Sequence, residues 1–116
     1  ETAPTEKYTL PLHDALPISG CAIYSHFETL WHEAGLPPIY ARAARIGHGG
    51  GMDLTEPPSI MATSNEVIEP GFIIHIEPKI EADGAVFQCE EVVHIGPTGN
   101  VFLTPFTPDA LTQIGI

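Results

Sequence analysis

The sequence predicts an α+β fold, one helix followed by an antiparallel sheet. A single stretch, Cys21 to Ala34, places its apolar residues at helical spacing. Beyond it, short apolar runs are divided by Gly and Pro, the punctuation of strands and turns. The order, helix first and strands after it without alternation, is that of an α+β chain rather than an α/β one. With 116 residues, the chain is long enough for one domain at most, since domains cluster near about 100–150 residues.

The first segment stands apart. Residues 1–19 hold three prolines and no steady period. Thr9-Leu10-Pro11-Leu12-His13-Asp14-Ala15-Leu16-Pro17-Ile18 resembles the translation of a common sequencing adapter, TLSLHDALPI, and departs from it only at Pro11. The expectation is therefore a non-native or disordered segment over 1–19, with the folded domain in residues 20–116.

In the helix, Ile23, Phe27, Leu30, Trp31 and Ala34 form one stripe at a period of 3.6. Gly35 follows as the C-terminal cap, and Pro37-Pro38 stops the helix. His32 falls off the stripe and reads as a solvated position. Tyr40 to Ile46 is short and carries both arginines, Arg42 and Arg45. Ser59 to Met61 makes a short strand, and the run from Asn65 ends in a Pro70-Gly71 turn. Phe72 to Ile76 reads as a strand closed at Pro78. Asp83-Gly84 is a hairpin signal. Val86 to Ile95 reads as one long strand, and Val101 to Thr104 as the last.

Composition excludes several functions. Hydrophobic residues make up 43%, enough to build a core. Four Lys or Arg stand against 15 Asp or Glu, a net charge of −11. Such a surface lacks the clustered cations that neutralise phosphates or anionic lipids, so neither nucleic acid nor membrane is expected as a partner. No apolar run reaches the roughly 18–20 residues of a membrane span. Two cysteines in no close-spaced motif, and no visible signal peptide, fit a reduced, cytoplasmic setting.

Three residues carry candidate chemistry. His48 lies in Gly47-His48-Gly49-Gly50-Gly51, where its neighbours remove side-chain bulk and free the backbone, so that one imidazole can project into a tight site. Glu77 ends an apolar strand, and a buried carboxylate there needs a partner or a cation. Glu90 stands beside Glu91, and only one of two successive strand residues can point where Glu77 points. One His and two Glu suit a divalent ion such as Mn, Co, Zn or Fe. A phosphate loop is excluded, because no Lys-Ser/Thr follows the glycines.

From Gly47 to Thr104 the chain resembles the C-terminal half of the pita-bread metallohydrolases, the methionine aminopeptidase, Xaa-Pro peptidase and creatinase family. The frames stand in order as Gly47-His48-Gly49-Gly50-Gly51, Glu56-Pro57-Pro58, Gly71-Phe72 through Ile76-Glu77-Pro78, Glu90-Glu91, and Gly99 with Leu103-Thr104. Leu54-Thr55-Glu56-Pro57-Pro58 and the Glu90-Glu91 pair favour the Xaa-Pro peptidase branch.

The resemblance implies that residues 20–116 are a partial pita-bread catalytic domain, and that the centre is dinuclear with two divalent ions. His48 and Glu77 would ligate one metal, and Glu90 would bridge both. His48 and Glu77 are the catalytic candidates, with Glu77 also handling protons. It implies a peptide or small-molecule substrate and a homodimeric parent. Thr55 occupies a substrate-facing position where the family commonly has His. His75 shares the strand face of Glu77 and is a second candidate for the substrate wall. His94, four residues after Glu90 on the same strand face, reads as structural or exposed. The family's remaining ligands are two Asp from upstream strands, and residues 20–47 contain none. The expected function is a fragment of an Xaa-Pro aminopeptidase or dipeptidase. The alternatives are a non-catalytic binding module of the same fold, or a creatinase-like hydrolase or lyase acting on a small molecule. Such a fragment should show no useful activity by itself and weak or no dinuclear metal binding. Isothermal titration yielding two tight Mn(II) sites would contradict this.

Overall fold

The computed structural model describes residues 16–39, 44–106, 108, 110 and 113–115. Its elements in chain order are β1 (Ile18–Ser19), α1 (Gly20–Glu33), β2 (Gly47–Gly50), β3 (Glu56–Ile60), β4 (Val67–Ile68), β5 (Ile73–Ile76), β6 (Lys79–Ala82), β7 (Ala85–Gln88), β8 (Glu91–Ile95) and β9 (Asn100–Phe102). One helix and antiparallel strands make the fold α+β, as expected. Most of the 1–19 segment, and Tyr40 to Ala43 with Arg42, lie outside the described residues. The end of that first segment is structured, however: β1 pairs with β4, Ile18 opposite Ile68, and Leu16 and Ile18 pack against the core.

Helix α1 begins where its free amides find acceptors. The Ser19 hydroxyl accepts from Ala22 N–H at 3.3 Å. Gly20 and Cys21 N–H donate to the carbonyls of Glu66 and Ser64, both at 2.8 Å. The helix ends in a Schellman arrangement, with Gly35 at φ +72°. There Gly35 N–H donates to His32 and Leu36 N–H to Trp31. The stripe is confirmed in part. Ile23 is buried and Phe27, Leu30 and Trp31 are half-buried, but Ala34 is exposed and Tyr24, off the stripe, is buried. Only the first turns of α1 lie on the sheet, so the contact line moves towards the N-terminus.

The main sheet has the order β3-β2-β5-β8-β9, all antiparallel. Its register sorts side chains by face. Ile60, Ile74, Ile76, Val93, Ile95 and Phe102 join Ile23, Tyr24, Ile46 and Ile68 in one core. His48, His75, Val92 and His94 belong to the opposite face. The Gly-rich frame is the strand β2, second in the sheet. None of its glycines has a positive φ, so they serve close approach rather than unusual backbone angles.

The long strand expected from Val86 to Ile95 is broken at Cys89 and Glu90. Its first part, β7, turns back on β6 as a separate two-stranded sheet. The hairpin closes as foreseen at Asp83 (φ 51°) and Gly84 (φ 75°), with Ala82 opposite Ala85. The strand expected at Ser59 to Met61 runs earlier, over Glu56–Ile60. Among the described residues no helix is long and apolar enough to cross a membrane.

Ile74 is fully buried at the middle of the sheet. Ile74→Ala should lower the unfolding free energy by about 2–5 kcal/mol in urea denaturation, from lost burial and the cavity left behind. A second expectation concerns pH. Burial, then the charge of Glu28 and a hydrogen bond to it, raise the Tyr24 phenol above its ordinary 10.0. The stabilisation of the protonated phenol is fully present below pH 10 and is lost as pH rises through the raised value. Tyr24→Phe should therefore flatten the alkaline limb of the stability profile.

Candidate metal centre

The centre is built on the cross-strand pair His48 and His75, directly opposite each other on β2 and β5. Their rings stack with centroids 4.9 Å apart and planes 15° apart. Glycines make this pairing possible. A side chain at Gly49 would run into the Pro57 carbonyl, so only glycine lets β3 lie this close. A Cβ at Gly50 would meet His75 Nε2 and Cδ2 at 2.5 and 2.8 Å, so the absence of a side chain leaves room for the second ring.

Hydrogen bonds fix the imidazole of His48. Its Nδ1 lies 2.8 Å from the Gly49 carbonyl oxygen. A carbonyl only accepts, so Nδ1 carries the proton and donates. The other nitrogen, Nε2, faces Glu77 Oε1 at 3.1 Å. In the neutral ring, Nε2 presents a lone pair to a carboxylate oxygen, an arrangement that needs a proton or a cation between the two. An edge of 3.1 Å is what two ligands about 2.0–2.2 Å from a shared ion present at a near-right angle. His48 is also buried at 5% exposure, which keeps water from competing for its nitrogen. The donor set therefore fits a divalent transition ion.

Glu77 follows β5, and its N–H donates to the Ile46 carbonyl at 2.7 Å. Its other oxygen, Oε2, accepts from Gln88 Nε2 at 3.0 Å, and the same amide donates to the Glu77 carbonyl at 3.2 Å. Glu90 lies in the break before β8, one step beyond the pair of Ile76 and Glu91. Strand alternation then gives Glu90 the side of His75 and Glu91 the core side, which decides between the two acidic residues. Glu90 Oε1 accepts from His75 Nδ1 at 2.7 Å. Ligand atoms of His48, His75 and Glu90 all lie within 4.8 Å of one another.

The structure thus brings His48, Glu77, Glu90 and His75 together. His75, expected at the substrate wall, is bonded directly to Glu90. Thr55 is apart from them, exposed in the bend between β2 and β3. His94 is half-buried on the same face, opposite Ile73 and Val101. Sequence reasoning missed Gln88, whose one available signal is its place two residues before Glu90. It also missed the fit of Gly50 to the His75 ring.

The sequence profile of metallopeptidase family M24 matches residues 16–97. The chain belongs to this family. Solved structures agree with the M24 assignment. The prolidase from Pyrococcus furiosus is 26% identical with a TM-score of 0.65, over 79% of this chain and 27% of that one. The prolidase from Pyrococcus horikoshii OT3 is 23% identical with a TM-score of 0.66, over 82% of this chain and 27% of that one. The X-Pro aminopeptidase from Thermotoga maritima MSB8 is 23% identical with a TM-score of 0.63, over 78% and 25%. This M24 chain spans about a quarter of the length of these structures, and its helix and antiparallel sheets match the C-terminal part of their pita-bread fold. A search of curated proteins found no relative.

The glycines give a graded test. Gly49→Ala pushes a Cβ into backbone and should cost about 1–3 kcal/mol in urea denaturation. Gly51→Ala meets only the carboxylate end of the Glu56 side chain and should cost less than about 1 kcal/mol.

Proposed function

We propose that the intact protein is an Xaa-Pro peptidase, an aminopeptidase or dipeptidase that cleaves the bond before proline. The observation that carries this reading is the His48–Glu77 contact. A buried imidazole, its tautomer set by Gly49, turns its free nitrogen towards a carboxylate. With the M24 membership and the prolidase-like fold, this supports a metal-dependent hydrolase.

His48, Glu77 and Glu90 are this chain's contribution to a dinuclear centre. Two Asp from the part of the protein outside this chain complete it. Mn, Co, Zn or Fe suits the mixed nitrogen and carboxylate donors. When bound, the ions lower the pKa of a nucleophilic water and polarise the scissile carbonyl.

The chain's own residues do the rest. His48 holds its Nε2 in place through the Gly49 bond. Gln88 anchors one oxygen of Glu77 and leaves the other facing the site. From there Glu77 takes a proton from the attacking water and passes it to the leaving amine. Thr55, exposed on the bend after β2, offers a hydroxyl to the substrate. It cannot carry positive charge, so charge stabilisation falls to the rest of the centre. The setting is a cytoplasmic homodimer.

Full-length protein assayed on Xaa-Pro dipeptides should show hydrolysis that chelator abolishes and divalent metal restores. Glu90→Gln should lower kcat by at least about 100-fold. Full activity in that variant would remove Glu90 from the catalytic centre.

A further inference from the structure

We infer that His75 is a positioning residue that holds the Glu90 carboxylate towards His48, rather than a metal ligand or a substrate contact. The inference rests on the metal-centre reading above and assigns the one site residue which that reading leaves without a role in it.

Three readings of His75 compete. As a third ligand, it would share an ion with His48. Ring-nitrogen lone pairs lie in the ring plane, and the two planes are 15° from parallel with centroids 4.9 Å apart. Stacked rings in this relation do not aim their nitrogens at one point. As a substrate contact, His75 would need a free ring nitrogen directed into the open site. Its Nδ1 is taken by Glu90 at 2.7 Å. Its Nε2 is turned across the sheet to Gly50, close enough that a Cβ there would meet it at 2.5 Å.

As a positioning residue, every contact has a use. A carboxylate accepts, so Nδ1 donates, and the bond selects one oxygen of Glu90. Glu90 needs such a hold. It lies outside the regular strands, in the break between β7 and β8, with a side chain 46% exposed. Among the described residues its one polar partner is His75. The stack on His48 and the space over Gly50 fix the ring that does the holding. Glu90 is therefore oriented, across the break before β8, by the same strand pair that orients His48.

The test uses the chain itself in two arms. In metal-free protein, nitrogen-15 NMR of the imidazoles should show His75 as the Nδ1–H tautomer, and Glu90→Ala should abolish that preference. An Nε2–H ring in the parent chain, or no response to Glu90→Ala, would overturn the inference. In the second arm, Co(II) binding is followed by paramagnetic shifts of the ring signals. His75→Asn keeps a donor near the Nδ1 position and should bind within about threefold of the parent chain, while His75→Leu should bind at least about tenfold more weakly. If Asn is as weak as Leu with native near-ultraviolet circular dichroism, His75 is a ligand and the inference fails. If Leu binds as tightly as the parent, the inference also fails. If the chain takes up no Co(II), as it would with two Asp ligands lying outside it, the metal-centre reading stands on the full-length assay, and the tautomer spectrum decides the His75–Glu90 bond alone.

Discussion

Everything in the site depends on the close approach of backbone at β2. This strand carries three glycines and one histidine, and it sits between β3 and β5. Removing side chains there has opposite uses on the two faces. On the core face, Gly47 and Gly49 leave room for the isoleucines of the adjoining strands and for the Pro57 carbonyl. On the other face, Gly50 leaves room for an imidazole. Gly in a strand forgoes packing and costs conformational entropy, and here neighbouring strands recover the packing.

The second constraint is electrostatic. Glu77 and Glu90 are carboxylates gathered on one side of the sheet in a chain of net charge −11. Each is met by a group that donates or expects positive charge: Gln88 and His48 for Glu77, and His75 for Glu90. The carboxylates are held apart in role by these different partners, one beside the buried imidazole and one at the rim.

Much of this was legible in the sequence. His48, Glu77 and Glu90 stand in frames that resembled the family; strand alternation limited the acidic pair to one of Glu90 and Glu91, and the register of β5 and β8 selects Glu90. The helix stop at Gly35 and the turn at Asp83-Gly84 followed from their backbone chemistry. Other features were hidden for physical reasons. A run of glycines looks like a turn, because propensity ignores the neighbours that make a bare strand useful. The break at Cys89 and Glu90 carries no Gly or Pro to mark it, since it arises when β7 pairs with β6 instead of continuing the main sheet. The His75–Glu90 bond joins residues far apart in sequence, and only the register of β5 and β8 brings them together. Tyr24 was missed because α1 docks by its first turns alone.

The hairpin of β6 and β7 reaches the candidate site through the Gln88 amide, and its strand β7 is exposed along its length. Yet it begins just after Glu77 and ends just before Glu90, with a two-residue tip. It is a short, self-closing loop, and closing a short loop costs little chain entropy. The two carboxylates are thus brought to one place by a local fold-back, cheap to form, while His48 must arrive by pairing across the sheet. Length changes at the Asp83-Gly84 tip fall on the side of the hairpin away from Glu77 and Glu90. The spacing of the carboxylates is consequently insulated from variation in the loop that joins them.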